Sequence, residues 1–357
     1  MAKNLLLSTT AACRTNSPGR LLPRLCPVSS SLTFARHYNT TASEEVRSET
    51  STKGASDERT PPSSFTPERI RANQQFCLDR VKRVDYEHYL SIFFLPKQAR
   101  SANMAIRAFN AETAVIPDAV KDKNAASMRL HWWKETINAC LKGAPTNNPV
   151  IEELYRTTQT GTRLSYSWFK RTLDKRLSDL ASGSVIHSMT AMESFAEDTA
   201  SSLLYLSLES LDVRNIQADH AASHIGKAVG ITRLLRGTPY HFQRGETYLP
   251  LDLLAKKGIV QNDLYRGEIP AAITDVVYEV ACVAKAHLTH ARQLRPNVPQ
   301  QAIPALLPAL IAEDYLRRLE KTGFNPFDPS LLSLIAHNAN TLPLLFRMLS
   351  HSWRNQY

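Results

Sequence analysis

Three groups of residues carry side chains able to do chemistry. His220 and His224 stand four apart, a spacing that sets two imidazoles on one helical face and could begin a metal site. Asp219 and Glu197 are the candidates for a third ligand, but no full ligand set is evident, and capping or packing is the simpler role for the pair. Arg233, Arg236 and Arg244 form the second group. A guanidinium offers paired N–H donors, so this run could hold an anion without a metal; alternatively the arginines pair with scaffold acids such as Glu112 or Glu246. The third group lies between Tyr86 and Asp118, where an aromatic helix ends at Leu95-Pro96 and a new helix leads to Glu112 and Asp118. Asp118 follows Pro117 directly and would equally serve to cap a turn. The five cysteines, Cys13, Cys26, Cys77, Cys140 and Cys282, contain no CxxC pair and no cluster. That excludes a zinc ribbon and a disulfide scaffold and fits a reducing compartment.

The elements that position these groups read as helices. Phe169, Leu173, Leu177 and Leu180 make one apolar stripe; Phe195, Thr199, Ser202, Leu203 and Leu206 make another; Val276, Val280, Val283, Ala284, His287 and Leu288 make a third. Gly143, Gly161, Gly183, Gly258 and Gly323 fall between such segments, where helix C-caps are expected. Gly226 and Gly230 share one helix with too many polar residues for a membrane span, so the spacing predicts close helix packing. Trp132 and Trp133 must point about 100° apart on a helix, one to the core and the other to a cavity or groove. With 43% hydrophobic residues, 12 glycines and no sustained period-two alternation, the chain reads as one all-α domain over residues 67–357, starting at the cap pair Thr66-Pro67.

Residues 1–43 carry Lys3, Arg14, Arg20, Arg24 and Arg36, no acid, and many Ser and Thr. They read as a mitochondrial transit peptide, with Arg36-His37-Tyr38 marking a cut after Tyr38; the alternative is a disordered tail. Residues 44–66 read as a disordered linker. The first 43 residues supply half of the formal charge of +10, so the body is only mildly basic. It has no run of five like charges, and nucleic-acid binding is not expected. No apolar run reaches the length of a membrane span. The best, Ala302 to Ala312, is short and carries Pro304 and Pro308, which leaves a peripheral membrane contact open.

From about residue 75 to 295 the chain resembles the squalene/phytoene synthase family. The family pairs a motif of the type A-F-C-R-x-x-D-D-x-x-D with a second, G-x-A-x-Q-x-x-N-x-x-R-D-x-x-x-D, followed by R-G-x-x-Y-L-P. The last is matched by Arg244-Gly245-Glu246-Thr247-Tyr248-Leu249-Pro250. The resemblance implies the all-α isoprenoid synthase bundle, with helices around a central cavity. It also implies where Mg²⁺-binding carboxylates would stand to clamp a prenyl diphosphate. Those four positions are Ala114, Asp118, Gly237 and His241 here, the family Gln falls on Gly230 and the Asn on Arg233. Three of four family carboxylates are therefore replaced, which implies a pseudoenzyme with no metal and no cofactor.

The same departures mark one branch, the mitochondrial complex I (NADH dehydrogenase) assembly factors numbered six. The chain is similar to it at Ala105-Ile106-Arg107-Ala108-Phe109-Asn110-Ala111-Glu112, over Phe195 to Glu209, at Asp219-His220-Ala221-Ala222-Ser223-His224-Ile225-Gly226-Lys227-Ala228, at Thr238-Pro239-Tyr240-His241 and at Ser352-Trp353-Arg354. This resemblance implies a non-enzymatic protein peripheral to the matrix side of the mitochondrial inner membrane. It would bind complex I subunits or assembly intermediates early in biogenesis. A vestigial pocket of Glu112, Asp118, Arg233, Arg236, Arg244 and Tyr248 would take an anionic lipid or prenyl ligand. In that reading Arg233 is a buried cation that Glu112, Asp118 or a bound anion must neutralise. The alternative is a residual prenyl diphosphate-binding or prenyl-transferring protein of the mitochondrion.

Overall fold

Thr66 and Pro67 open the first helix. The Thr66 hydroxyl accepts from the Arg69 backbone N–H at 3.3 Å, and Pro67 takes the first helical position, where a missing N–H costs nothing. The computed structural model describes residues 66–183, 185–260, 270–331 and 341–357. The expected transit peptide, and the expected linker up to residue 65, lie outside the described residues.

The helices follow as α1 (Pro67–Val84), α2 (Tyr86–Ile92), α3 (Lys97–Ala114), the single turn α4 (Ile116–Ala119), α5 (Lys123–Leu141), α6 (Pro149–Gln159) and α7 (Tyr166–Ser182). Then come α8 (Met189–Ala196), a π-helical turn (Glu197–Ser201), α9 (Ser202–Ser210), α10 (Ile216–Phe242) and the short α11 (Leu251–Lys256). The last are α12 (Ile273–Leu294), the one-turn α13 (Ile303–Leu306), α14 (Ala309–Lys321) and α15 (Thr341–Trp353). Among the described residues there is no strand. Pro96 separates α2 from α3, as its fixed φ and missing donor require. The five expected C-cap glycines all take positive φ, from 61° at Gly323 to 97° at Gly143, a region closed to most L side chains.

The α10 helix is the spine, packed against α12, α14, α8 and the π turn. Gly226 and Gly230 allow this. A Cβ at Gly226 would stand 2.4 Å from Ser201 Cα, and one at Gly230 would stand 2.5 Å from Ala196 Cβ. The second apolar stripe therefore does not run on one continuous α-helix. The π turn widens the chain at Glu197–Ser201, and Ser201 is fully buried against the glycine face. Glu197 ties the turn to its neighbours, accepting from Tyr205 Oη and Ser223 Oγ at 2.7 Å each. On the other side of the core, Phe109 meets Phe169 edge-on at 5.1 Å and Trp133 at 5.8 Å. Each such pair contributes about 1 kcal/mol beyond its buried area. Trp132 is exposed on the surface, so of the tandem tryptophans only Trp133 enters the core.

Candidate functional site

The C-terminal end of α10 runs into a turn that faces α4. Pro239 removes one backbone donor from the last turn of α10, and the helix stops at Phe242. Past it, Gly245 at φ 71° turns the chain back, so Tyr248 lies against the His241 ring at 4.3 Å between centroids. Arg244 Nη1 donates to Tyr240 Oη at 2.9 Å, its guanidinium lies 5.4 Å from that ring, and Asp118 Oδ1 is 3.9 Å away. His241 Nδ1 faces Glu246 at 3.5 Å, and burial lowers the pKa of its imidazole. Asp118 sits inside the one-turn α4 and caps nothing, a departure from its expected turn-capping role.

The six residues expected to share a pocket fall into separate settings. Asp118, Arg244 and Tyr248 border the turn just described. Arg236 pairs with Glu87 of α2 at 2.6 Å. Glu112 pairs with Arg80 of α1 at 2.6 Å, and burial raises its carboxyl pKa against the pull of that guanidinium. No ion pair joins Arg233 to Glu112 or Asp118, which face Arg80 and Arg244 instead. Arg233 is exposed, so water solvates it and the cost of a buried unpaired charge does not arise.

The electrostatic centre nearest Arg233 was missed by sequence reasoning. Asp85, in the break between α1 and α2, accepts from His88 Nδ1 at 2.7 Å and stands 3.8 Å from Arg107 Nη1. Burial alone would raise the Asp85 carboxyl, but His88 and Arg107 overcome it and hold it well below the carboxylate range. One turn along α3, Asn110 Oδ1 accepts from Arg176 Nη2 of α7 at 2.6 Å, and Thr113 Oγ1 accepts from Arg176 Nη1. Burial lowers Arg107 to about 10 and Arg176 to about 9, and the charge of Arg233 pushes both the same way. Arg107 and Arg176 stay cationic at neutral pH, with Asp85 the carboxylate that acts on Arg107 and Asp179 the one that acts on Arg176. Asn110 is 1% exposed, and its Nδ2 has no partner among the described residues. The arrangement can hold an anion through guanidinium and amide donors. A charged residue inside the apolar run Ala-Ile-Arg-Ala-Phe was the available signal for Arg107.

The histidine pair also separates. His220 is exposed, whereas His224 Nδ1 faces His287 Nδ1 at 2.9 Å, and His287 Nε2 donates to Glu193 Oε1 at 2.7 Å. A neutral His287 that donates from Nε2 accepts at Nδ1, so His224 is the donor between the rings. Among the described residues no group of three or more His, Cys, Asp or Glu could hold a metal ion. Ala114, Asp118, Gly237 and His241, the positions that the resemblance implies for a Mg²⁺ clamp, do not make up a carboxylate set. Only Asp118 offers a carboxylate there, and it faces Arg244.

The squalene/phytoene synthase family model matches residues 81–337. A protein of Bos taurus named NADH dehydrogenase (ubiquinone) complex I, assembly factor 6 is 39% identical over 79% of this chain and 83% of its own. The chain belongs to the squalene/phytoene synthase family, in its complex I assembly factor 6 branch. A Dictyostelium discoideum homolog of that assembly factor is 35% identical over 88% of this chain and 90% of its own length. The family fold is that of a solved dehydrosqualene synthase complexed with ligand, which superposes at a TM-score of 0.67 and 18% identity, covering 80% of this chain and 98% of that one. No described helix is long and apolar enough to cross a membrane.

Proposed function

We propose that the protein acts in the assembly of mitochondrial respiratory complex I, without prenyl-transfer chemistry of its own. The observation that carries this reading is the identity to proteins named complex I assembly factor 6, which extends over 79% to 88% of the chain. Ala114, Gly237 and His241 stand where the family's resemblance calls for Mg²⁺-binding carboxylates, and three lost oxygen donors leave no clamp for a diphosphate. In this reading the first 43 residues carry the chain into the matrix, linker and domain follow, and the domain lies peripherally on the inner membrane. There it contacts complex I subunits or intermediates early in biogenesis. Blue-native gels of cells lacking the protein test the proposal. Complex I falls while the other respiratory complexes are spared; a normal complex I band removes it.

The buried guanidiniums of Arg107 and Arg176, both within the field of Arg233, favour a second reading alongside the first. This cluster, rather than the six residues expected to share a pocket, binds the phosphate of an anionic lipid or prenyl diphosphate directly, with no metal. Ligand at 100-fold over its dissociation constant then stabilises the fold by about 2.7 kcal/mol. Thermal unfolding with farnesyl diphosphate, with and without Mg²⁺, checks this. A stabilisation that needs Mg²⁺, or none at all, counts against it.

A further inference from the structure

Helix α15 is apolar on two opposite sides. Leu344 and Met348 face the bundle, where they join Leu307, Leu310 and Ile311 and pack against Phe94. Leu342, Phe346, Leu349 and Trp353 stand on the other side, 65%, 67%, 49% and 85% exposed. At 100° per residue these four fall within about 60° of arc, with Leu344 and Met348 on the far side. A helix that only covers a core presents one apolar stripe and a polar outer face. The second stripe here is straight, spans the helix and stays uncovered by any described residue.

Charge around the stripe is net positive. From Pro329 to Tyr357 the sequence contains no Asp or Glu. The two neighbouring acids on α14 are already engaged. Glu313 faces Lys285, Arg292 and Arg347; Asp314 faces Arg317, Arg318 and Arg347. Five cations surround two carboxylates there, and Arg354 is exposed beside Trp353. Tryptophan at the end of an apolar line is the side chain that settles where hydrocarbon gives way to water, because its ring is apolar and its N–H is not. A straight apolar line, a terminal tryptophan and an excess of cations over acids are what a helix needs to lie on an anionic bilayer.

We infer that Leu342, Phe346, Leu349 and Trp353 form the surface by which this protein docks on an anionic phospholipid membrane. The inference deepens the peripheral placement proposed above and rests on it. The contact lies along the surface, since no described helix could span.

The test uses the full chain with vesicles of phosphatidylcholine, alone or in equimolar mixture with phosphatidylglycerol. The wild type sediments with the anionic vesicles, and raised salt weakens the binding. Paired Phe346→Ser and Leu349→Ser substitutions lower the bound fraction by about tenfold. They leave thermal unfolding unchanged, because both side chains are exposed. Brominated acyl chains quench the fluorescence of Trp353, and that quenching disappears in Trp353→Phe. Wild type left in the supernatant overturns the inference. So do paired substitutions that bind as wild type does, and so does a wild-type oligomer that they dissolve, which would make the stripe a self-association face. Complex I levels in null cells expressing the paired variant separate the two proposals. Restored complex I without vesicle binding leaves the assembly role standing and removes docking as its requirement. Vesicle binding by a protein whose loss spares complex I does the reverse.

Discussion

The middle of α10 and its C-terminal stretch obey different constraints. Around Gly226 and Gly230 the helix touches the π turn so closely that a single added carbon would enter the backbone of Ser201 or Ala196. Two turns on, the same helix opens to solvent. A Cβ at Gly237 would meet only the His241 ring, at 3.2 Å, and a side-chain rotation relieves that. The middle stretch fixes the bundle, and the C-terminal stretch is where the resemblance would house the family's chemistry. Packing leaves Gly226 and Gly230 no freedom, whereas Gly237 and His241 are only partly buried. Side chains at those two positions can therefore differ while the fold is kept.

Paired substitutions in the two stretches sharpen the contrast most. Gly226→Val should destabilise the fold by about 3 kcal/mol, because the clash is with backbone and cannot be relieved by a rotamer. Gly237→Ala should change stability by under about 1 kcal/mol, a helix-propensity gain set against the small shift of His241. Urea unfolding measures both. Equal losses would mean that the C-terminal stretch is as tightly packed as the middle one.

The buried charges around Asp85 give the next largest effect. Asp85→Ala leaves the Arg107 guanidinium buried without its carboxylate and should cost about 3 kcal/mol, with Arg107→Met in the same chain recovering most of it. A double variant no more stable than Asp85→Ala would show that Arg107 is satisfied elsewhere.

This centre also marks the limit of what the sequence disclosed. The helices, the Thr66-Pro67 cap, the break at Pro96 and the C-cap glycines follow from local rules, since each needs only its neighbours in the chain. The π turn does not, because its cause is Ser201 meeting Gly226 across an interface. Arg233 was legible as a departure from the family, but its environment was not. Asp85, Arg107 and Arg176 lie on three segments far apart in sequence, and only the closed bundle brings their charges together. The Glu112 partner was likewise decided by α1, which delivers Arg80 before Arg233 can reach it.

Acid titration probes the α10–α12 interface. Burial, then the charge of His287, lowers His224 to about 4 from an ordinary 6.5, with Lys227 and His290 acting in the same direction and Glu197 opposing. The unfolded chain takes up a proton that the folded one refuses, so this pair's contribution is lost as pH falls from about 6.5 toward 4. Glu313, held at about 2 by its arginines against burial, loses its contribution only below its ordinary 4.5. Stability measured against pH should thus decline in two windows, and His224→Gln should flatten the upper one. An unchanged upper window would remove the histidine pair as its cause.

The smallest effect belongs to Asp118, the one carboxylate at the positions that the resemblance implies for the clamp. Asp118 is half exposed and 3.9 Å from an exposed Arg244, so Asp118→Ala should alter the unfolding free energy by under about 0.5 kcal/mol. A larger loss would give that ion pair a structural weight at odds with an open, permissive end of α10.

Incubating the purified protein with farnesyl or geranylgeranyl diphosphate and Mg²⁺, and following the fate of the diphosphate, tests most directly whether the fold persists here without its prenyl chemistry. The account predicts that the diphosphate is recovered intact with or without the metal. A head-to-head condensation product that forms only when Mg²⁺ is present would contradict it.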